Sequence, residues 1–356
     1  MRVVVAMSGG VDSSVAAGLL VQAGHDVVGV HMRLHDRSPT AVSAGRCCGY
    51  DDALDARRVA DQLGIPFYVV NLKEAFDRAV MGDLADTYLA GRTPNPCIQC
   101  NGVLKFRILM GRARALGASH LATGHYARIL PGPGLGMAAD TNKDQSYFLF
   151  PMRRSALRRT LFPLGGMTKD EVRAAAAGLG LAVAEKPDSQ EVCFLPTGDH
   201  AGFVRERHPD VDGSGAFVLE DGTEVGRHDG YFRFTVGQRR GTGVALGTPA
   251  WVLRVVPETR DVVLTTDSTR LGVLGLRASS ASWLEEVAPG RRVQVRIRHR
   301  GRLQPATITP DGPRFSVAFD DPVRAVAPGQ AAVIYDGERV LGGGWIEGAI
   351  RFREAA

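Results

Sequence analysis

The segment Ser8-Gly9-Gly10-Val11-Asp12-Ser13-Ser14 has the residue types of a phosphate-binding loop. Its two glycines let backbone N–H groups approach an anion closely, and its serine hydroxyls add further donors. A strand-like run precedes the segment and a helical pattern follows it, so a helix N-terminus would also attract the anion. The Walker A pattern GxxxxGK[ST] is absent. A glycine-rich turn that only caps the helix is the alternative, and the strand-loop-helix context favours phosphate binding.

Five cysteines are distributed unevenly along the chain: Cys47, Cys48, Cys97, Cys100 and Cys193. Their odd number argues against a disulfide framework. Cys97 and Cys100 lie in TPNPCIQCN, where two prolines predict a stiff loop that presents the thiols outside the sheet. Cys193 lies in PDSQEVCFL, in which EVCFL is strand-like. We interpret Cys47 and Cys48 as structural.

Thiols on two separate loops above a nucleotide site could carry out sulfur transfer. A cysteine that accepts sulfur as a persulfide needs a second thiol to expel that sulfur and close a disulfide. Three alternatives stay open for these cysteines. The CxxC could bind zinc, although no second ligand pair at the right spacing is evident. Cys97, Cys100 and Cys193 could be three ligands of an iron–sulfur cluster, or the thiols could be buried and inert.

Strands and helices alternate in the first half of the chain and must position these residues. Strands are predicted over residues 2–7, 26–32, 67–71 and 120–123, and helices over 13–23, 51–63, 73–90 and 103–116. This alternation indicates a doubly wound parallel sheet, in which ligands bind at the carboxyl ends of the strands. Thr168 and Glu171 predict a capping box at the start of a later helix.

Short β segments with turn signals replace the alternating pattern beyond about residue 206, and YFRFTVGQRRG is one of them. We therefore predict an α/β, Rossmann-like domain over residues 1–205, with a doubly wound parallel sheet. A small β-rich central domain over 206–275 and a C-terminal β-barrel over 276–356 are expected to follow.

The composition excludes several classes of protein. With 356 residues, 44% hydrophobic and 23% charged, the chain can form a folded core. No apolar run of about 18 residues is present, so we expect no membrane span. The N-terminus lacks the apolar region of a secretory signal, which makes the cytoplasm the expected compartment. A net charge of +5 is compatible with a nucleic-acid partner without indicating one.

A set of motifs spread over nearly the whole chain resembles the tRNA-specific 2-thiouridylases, a family of PP-loop ATP pyrophosphatases. In order, the motifs are MSGGVDSS, GRTPNPCIQCN, LATGHYA, KDQSYFL, DSQEVCFL, TVGQRRG, VRIRHR, AVAPGQAAVIY and LGGGWIE. The resemblance implies that ATP adenylates O2 of the wobble uridine, U34, in the tRNAs for Lys, Glu and Gln. A cysteine persulfide then replaces the adenylate, which gives 2-thiouridine, AMP and pyrophosphate.

The resemblance also implies the participants in this reaction. ATP with Mg²⁺ is the expected cofactor, and a [4Fe-4S] cluster stays open as an alternative. From its place in the Ser8–Ser14 loop, Asp12 is expected to help hold the metal, with a capping role in the helix as the alternative. The expected partners are tRNA and an upstream protein that carries sulfur as a persulfide. We expect the enzyme, a sulfurtransferase, to be a monomer.

Carried over position by position, the family pattern assigns roles to individual residues. Cys100 is the expected nucleophile, and Cys193 is expected to carry the persulfide and to form a transient disulfide with Cys100. The expected ATP contacts are Ala6, Met7, Ser8, Gly9, Gly10, Val11, Asp12, Ser13, Met32 and Gly124. The expected tRNA contacts are Asn95, Pro96, Cys97, His125, Lys143, Asp144, Gln145, Arg298, His299 and Gln330. Some family members have Asp at the position of Cys97, so a thiol is not required there.

Six arginines and no acidic residue lie between Arg291 and Arg302. From Arg296 onward the arginines alternate with other residues, which predicts one basic face of a strand for tRNA phosphates. A solvated strand face is the alternative.

Two other functions compete with tRNA thiolation. A PP-loop ligase would adenylate a small substrate, join it to an amine and need no thiols. A nucleotide-dependent RNA-binding module would retain tRNA without releasing pyrophosphate. The cysteines on two loops count against both.

Overall fold

The computed structural model describes residues 1–35, 50–187, 192–195 and 198–350. Cys47 and Cys48 lie outside these residues, so their structural interpretation stays a prediction. The chain divides into two compact units. The first comprises Met1–Met81, Pro96–Gly198 and Glu338–Val340, and the second comprises Gly82–Asn95, Asp199–Gly337 and Leu341–Ala356.

The first unit contains a parallel five-stranded sheet and a small antiparallel pair. Its strands are β1 (Arg2–Ala6), β2 (Asp26–Arg33), β3 (Phe67–Asn71), β4 (His120–Thr123), β5 (Arg128–Leu130), β6 (Gly134–Gly136) and β7 (Thr160–Leu161). The sheet order is β3-β2-β1-β4-β7, and β5 pairs with β6. The strand order therefore reverses between β1 and β4, where doubly wound sheets open a ligand crevice.

The helices begin and end as follows. They are α1 (Val11–Gln22), α2 (Tyr50–Gln62), α3 (Lys73–Phe76), α4 (Asp83–Leu89), α5 (Pro96–Gln99), α6 (Met110–Ala115), α7 (Arg154–Leu157), α8 (Lys169–Gly178) and α9 (His200–Arg207). Two π-helical segments, Asp77–Gly82 and Cys100–Leu109, continue the helices that precede them. The predicted capping box is confirmed at α8, because Thr168 N–H donates to Glu171 Oε2 (2.7 Å) and Glu171 N–H to Thr168 Oγ1 (3.3 Å).

Two local predictions around the cysteines are wrong. The loop predicted over RTPNPCIQCN ends at Asn95, and a helix begins at Pro96. Proline is tolerated at the first helical position because the N–H that it lacks would have no intrahelical acceptor. The segment predicted as strand-like EVCFL is a turn over its described residues, with Leu195 N–H donating to the Val192 carbonyl (3.0 Å).

The second unit is rich in β structure. Its strands are β8 (Gly215–Leu219), β9 (Glu224–His228), β10 (Trp251–Val256), β11 (Asp261–Thr265), β12 (Gly272–Trp283), β13 (Arg291–Arg296), β14 (Gln304–Asp311), β15 (Arg314–Arg324), β16 (Ala331–Asp336) and β17 (Arg339–Ile350), of which Arg339 and Val340 are assigned to the first unit. Strands β10-β11-β8-β9 form the central sheet. The order β12-β15-β14-β13-β16-β17 closes into a barrel through pairing of β12 with β17.

These elements confirm the predicted architecture of a doubly wound domain, a small β-rich central region and a C-terminal barrel. The β segment predicted over YFRFTVGQRRG is wrong, because Tyr231–Arg233 form a 3₁₀-helix and no strand follows before Trp251 in this described part of the chain. The domain boundary predicted between residues 275 and 276 falls within β12.

Candidate functional site

The Ser8–Ser14 segment, here called the nucleotide loop, joins the carboxyl end of β1 to the first turn of α1. Ser8 N–H donates to Ser13 Oγ (3.1 Å), and the hydroxyls of Ser13 and Ser14 donate to the Gly10 carbonyl (3.1 and 2.9 Å). Gly10 is the N-cap of α1 and has no side chain to accept bonds from the first-turn N–H groups. Those donors can therefore serve an anion.

Two glycines allow the backbones around the nucleotide loop to pack closely. At Gly9, where φ is +81°, a Cβ would lie 2.2 Å from the carbonyl oxygen of Asp52. At Gly124, which follows β4, a Cβ would lie 2.7 Å from the carbonyl carbon of Asp12 and from Ser13 N. Only glycine fits such positions without displacing backbone.

The structure therefore brings the predicted ATP-binding residues to the carboxyl ends of adjacent strands. Ala6 ends β1, buried Met32 lies near the end of β2, and Gly124 follows β4. Their contacts with ATP stay a prediction, and the reversal of strand order at this edge supports it.

Asp12 is held by two residues that the sequence analysis missed. Lys169 Nζ lies 2.7 Å from Asp12 Oδ1, and Tyr126 OH donates to the same oxygen (2.8 Å). The Lys169 side chain is only 10% exposed, so its charge is partly shielded from water. Magnesium in nucleotide sites is usually held by one or two carboxylates together with substrate phosphates. The Asp12 carboxylate fits a metal ion that arrives with ATP.

The KDQ motif, Lys143–Gln145, supports Asp12 indirectly, through Tyr126. Gln145 Oε1 accepts a hydrogen bond from Tyr126 N–H (3.0 Å), and Tyr126 in turn contacts Asp12. Buried Asp144 accepts hydrogen bonds from Ala138 N–H (3.1 Å) and from the Ser146 hydroxyl (3.0 Å). Lys143 is half-buried. The tRNA contacts predicted for Lys143, Asp144 and Gln145 stay predictions.

Cys97 and Cys100 lie on helical backbone rather than in the predicted loop. Cys97 is exposed in α5, and half-buried Cys100 begins the π-helical segment Cys100–Leu109. Burial raises the pKa of the Cys100 thiol above its usual range, and the positive charge of Lys105 opposes that rise. Cys100 carries a free thiol in the structure, so the transient disulfide with Cys193 stays a prediction.

Cys193 lies in the turn Val192–Leu195 and is half-buried. The next residue, Phe194, packs edge-on against Phe76 of α3, with ring centroids 5.3 Å apart. An aromatic pair of this geometry stabilises a contact beyond the area that it buries. The Cys193 turn is therefore anchored on the first unit at its carboxyl side.

His125 forms a buried polar contact with Lys105. Lys105 Nζ lies 3.4 Å from His125 Nε2, and His125 Nδ1 lies 2.7 Å from Thr123 Oγ1. An ammonium group can only donate, so Nε2 accepts and Nδ1 carries the proton. Burial, followed by the charge of Lys105, holds the pKa of His125 well below its ordinary value. His125 is therefore neutral and only 7% exposed, and its predicted tRNA contact is untested.

We expect Lys105→Met to shift the reactivity of Cys100 toward higher pH. Removing the positive charge leaves the effect of burial on the Cys100 pKa unopposed, so the thiolate forms at a higher pH than in the wild type. The measurement is the rate of iodoacetamide alkylation of Cys100, located by peptide mass spectrometry, across an alkaline pH series. Lys105→Arg keeps the charge and serves as the control. If the midpoint of the pH dependence of alkylation is the same in Lys105→Met as in the wild type, Lys105 does not stabilise the Cys100 thiolate.

Composition could have indicated that three lysines near the nucleotide loop and the cysteines have a role in the site. Lysine supplies only 5 of the 43 basic residues, and Lys105, Lys169 and Lys186 all make polar contacts around the nucleotide loop or the cysteines. A compact ammonium with three rotatable donors suits a crowded polar site better than a planar guanidinium does. The scarcity of lysine in this arginine-rich chain could therefore have identified these three residues as candidates for the site.

Gln330 supports the chain that precedes Asn95 within the second unit. Its Nε2 donates to the carbonyl oxygens of Thr93 (3.1 Å) and Pro94 (3.0 Å). Asn95 is half-buried. The tRNA contacts predicted for Asn95, Pro96 and Gln330 stay predictions.

The predicted arginine face on a strand is wrong. Strand β13 ends at Arg296, which is only 8% exposed and lies over the Tyr335 ring, 5.2 Å from its centroid. Arg298, Arg300 and Arg302 are exposed in the connection that follows, and His299 is half-buried there. Arg291 and Arg292 pair with Asp336 and Asp320. Any phosphate-binding role therefore falls to the connection after β13.

Among residues 1–35, 50–187, 192–195 and 198–350, no three His, Cys, Asp or Glu side chains are placed to hold a metal ion. Cys97, Cys100 and Cys193 are thus not arranged as cluster ligands, and we derive no step through such a group. None of the helices in the same residues has the length and apolarity needed to cross a membrane.

Three family models match the chain. The tRNA methyl transferase HUP domain matches residues 1–197, the tRNA methyl transferase PRC-barrel domain 201–266, and the aminomethyltransferase beta-barrel domain 273–346. These matches support the observed succession of an α/β region, a β-rich region and a barrel.

The chain is similar to curated proteins over nearly its full length. It is 48% identical over 360 residues to a tRNA-specific 2-thiouridylase MnmA from Geobacter metallireducens, covering 98% of this chain and 97% of that protein. It is also 48% identical over 367 residues to the protein of that name from Solibacter usitatus, covering 97% and 99%. A 4-thiouridine synthetase in complex with RNA and ATP matches with a TM-score of 0.37 and 19% identity, over 59% of this chain and 50% of that one.

Proposed function

Because this chain belongs to the tRNA-specific 2-thiouridylase family, we propose that it replaces O2 of the wobble uridine U34 with sulfur in the tRNAs for Lys, Glu and Gln. The observation that carries the proposal is the presence of two separated thiols, Cys100 and Cys193, in the unit that contains the nucleotide loop. A ligase or a simple RNA-binding module has no use for them.

The first half-reaction activates the base. Uracil O2 attacks the α-phosphorus of ATP, the bond to the β-phosphate oxygen breaks, and pyrophosphate leaves with the electron pair. The first-turn N–H groups of α1 and the ammonium of Lys169 offset negative charge at the phosphates. Asp12 would hold Mg²⁺, which neutralises phosphate charge when bound. Adenylation turns a poor leaving group, the uracil oxygen, into a phosphate ester.

The second half-reaction transfers sulfur. The terminal sulfur of a Cys193 persulfide attacks C2 of the uridine, and AMP leaves with the former O2. The Cys100 thiolate then attacks Cys193 Sγ and forms a Cys100–Cys193 disulfide. The S–S bond of the persulfide breaks, and its electron pair stays on the sulfur bound to C2, which becomes 2-thiouridine. A cellular dithiol reductant restores both thiols.

Several further participants belong to this proposal. An upstream persulfide carrier supplies sulfur, and the enzyme acts as a monomer in the cytoplasm. The first domain extends over residues 1–205, and the boundary predicted between residues 275 and 276 moves to Gly272, where β12 begins. Because the thiols are not arranged as cluster ligands in the described residues, we favour a persulfide over a [4Fe-4S] cluster. Iron and labile sulfide measured on anaerobically purified, fully active protein decide between them.

The family-model descriptions refer to methyl transfer, whereas the thiol pair favours sulfur transfer. Incubation with tRNA, ATP and a persulfide donor tests the difference. Mass spectrometry of the digested tRNA should show oxygen replaced by sulfur at U34, together with AMP and pyrophosphate. A methylated nucleoside, or modification without ATP, would refute the proposed function.

The connection after β13 should contribute to tRNA affinity. Replacing exposed Arg298, Arg300 and Arg302 together with alanine should weaken tRNA binding and reduce the salt slope of log affinity by about 2 to 3. ATP affinity should be unchanged. Arg291→Ala, which removes an ion pair with Asp336 and a long hydrogen bond to the Glu286 carbonyl (3.5 Å), is the matched control. Filter binding over a salt series measures the slope, and an unaltered slope would contradict the role.

A further inference from the structure

Lys186 makes three polar contacts beside the nucleotide loop. Its Nζ donates to the Gly9 carbonyl oxygen (3.1 Å) and pairs with Asp52 Oδ1 (2.8 Å) and Asp55 Oδ2 (2.7 Å). The Asp52 side chain is 4% exposed and that of Lys186 is 21% exposed, so water screens these charges poorly. Burial lowers the pKa of Lys186, but the two carboxylates outweigh this effect and raise the pKa. The ammonium therefore stays charged beside the Gly9 carbonyl.

Asp52 joins Lys186 to Gly9 by a second route. Gly9 is buried, and a Cβ there would lie 2.2 Å from the Asp52 carbonyl oxygen. The backbone of Asp52 therefore packs directly against Gly9, while its carboxylate holds the lysine that bonds the Gly9 carbonyl. These contacts form a closed set of three residues, which fixes where Gly9 lies.

The Gly9–Gly10 peptide could take two orientations if nothing held it. Glycine adopts positive and negative φ about equally readily, so a peptide between two glycines can rotate easily. In a planar trans peptide the C=O and N–H groups point in opposite directions. One orientation turns the Gly9 carbonyl toward Lys186 and the Gly10 N–H away from it, and the other reverses both. The lysine stabilises the first orientation, which is the one in the structure.

This orientation leaves the Gly10 N–H available as a donor. Gly10 is half-buried and is the N-cap of α1, and its N–H has no acceptor in the part of the chain that the structure describes. The group lies next to the first-turn N–H groups of the same helix, where an anion is bound favourably. In the reversed orientation a carbonyl oxygen would face that anion and repel it.

We propose that Lys186 is a positioning residue for adenylation, which holds the Gly9–Gly10 peptide so that the Gly10 N–H, and not the Gly9 carbonyl oxygen, meets the phosphates of ATP. The inference rests on the proposed function, in which ATP is the ligand of the nucleotide loop. Because the oriented donor bonds phosphate, loss of Lys186 should weaken the binding of ATP. It should have little effect on the binding of adenosine, which has no phosphate. A general loosening of the fold would weaken both.

The informative variant removes the lysine without leaving a buried carboxylate unpaired. Lys186→Met/Asp52→Asn, here called the charge-balanced variant, keeps the net charge of the cluster, and Asp55 retains Arg58 as a partner (3.2 Å). In equilibrium dialysis we expect the affinity for ATP to fall about 10-fold or more. The affinity for adenosine should change by less than about twofold. Thermal unfolding checks that the variant is folded.

Three single variants separate the lysine from its surroundings. Asp52→Asn alone keeps the contact between Lys186 and Gly9, so its loss of ATP affinity should be smaller than that of the charge-balanced variant. Lys186→Arg should retain part of the affinity, since it keeps the charge with a different fork of donors. Lys73→Met, which removes a lysine of α3, is the matched control. Pyrophosphate release in a single turnover with tRNA should fall about 100-fold in the charge-balanced variant, as when one preorganised donor is lost.

The Gly10 amide gives a second, direct readout. In protein with isotopically labelled glycine, its amide proton resonance should move downfield when ATP is added, and should move much less in the charge-balanced variant. The resonance is identified by its loss in Gly10→Ala, where a Cβ would lie 3.6 Å from Ser8 Oγ, an ordinary contact.

Equal weakening of ATP and adenosine binding, or the same movement of the Gly10 resonance with and without Lys186, would overturn the proposal. If the wild type binds ATP but forms no 2-thiouridine, the proposed function fails. The two binding measurements then still decide whether Lys186 orients the loop.

Discussion

Cys193→Ser should reduce 2-thiouridine formation by about three orders of magnitude or more, while one equivalent of pyrophosphate is still released per enzyme with tRNA present. A hydroxyl cannot store sulfur as a persulfide, but the nucleotide loop does not include residue 193. Cys100→Ser should also retain pyrophosphate release and should trap the uridine sulfur on Cys193, because no thiol remains to close the disulfide. Single-turnover assays with radiolabelled ATP measure both products.

Cys97→Ser is the matched control for these variants, because exposed Cys97 has no assigned thiol chemistry. We expect its thiolation rate to stay within about fivefold of the wild type, as for a substitution at the surface. A cluster mechanism predicts equal loss in all three variants, since each cysteine would be a ligand. Equal loss, with iron bound, would therefore contradict the persulfide account.

Gly124→Ala should reduce ATP-dependent pyrophosphate release about 100-fold, because small displacements in a catalytic site have effects of this size. The added Cβ would lie 2.7 Å from the backbone of Asp12 and Ser13, so the first turn of α1 must move. That movement misplaces both the first-turn N–H donors and the Asp12 carboxylate. ATP binding by calorimetry and pyrophosphate release with tRNA measure the loss.

Gly111→Ala is a matched control for this effect, since a Cβ in α6 at Gly111 meets nothing within 4 Å. Alanine in a helix interior is neutral or stabilising relative to glycine. Normal ATP binding in Gly124→Ala would show that the strand end after β4 does not support the nucleotide loop.

The sheet and its ligand edge could be predicted because they depend on local pattern. The buried part of β1, Val3–Ala6, is a continuous apolar run, and the glycines that follow mark the turn into a helix. The helix beginning at Pro96 was missed because proline breaks a helix interior yet fits its first turn. The π-helical backbone that begins at Cys100 was not predicted, because hydrophobic periodicity distinguishes only strands and α-helices.

The supporting contacts of the site could not be predicted because they join residues distant in the chain. Lys169 meets Asp12 across 157 positions, and Lys186 meets Gly9 across 177. Nothing local to either lysine indicates its partner, although the scarcity of lysine offered a hint. The strand predicted from the alternating arginines was wrong because a strand can end within a periodic run of residues, as β13 does at Arg296.

In the proposed reaction, ATP activates a tRNA uridine that then receives sulfur from a cysteine persulfide in this chain. The most direct measurement loads Cys193 with labelled persulfide sulfur, removes excess donor, and adds tRNA and ATP for a single turnover. We expect labelled 2-thiouridine at U34, with AMP, pyrophosphate and the Cys100–Cys193 disulfide each formed in an amount equal to that of the product. Label that stays on the protein while AMP accumulates, or label that reaches tRNA without ATP, would contradict it.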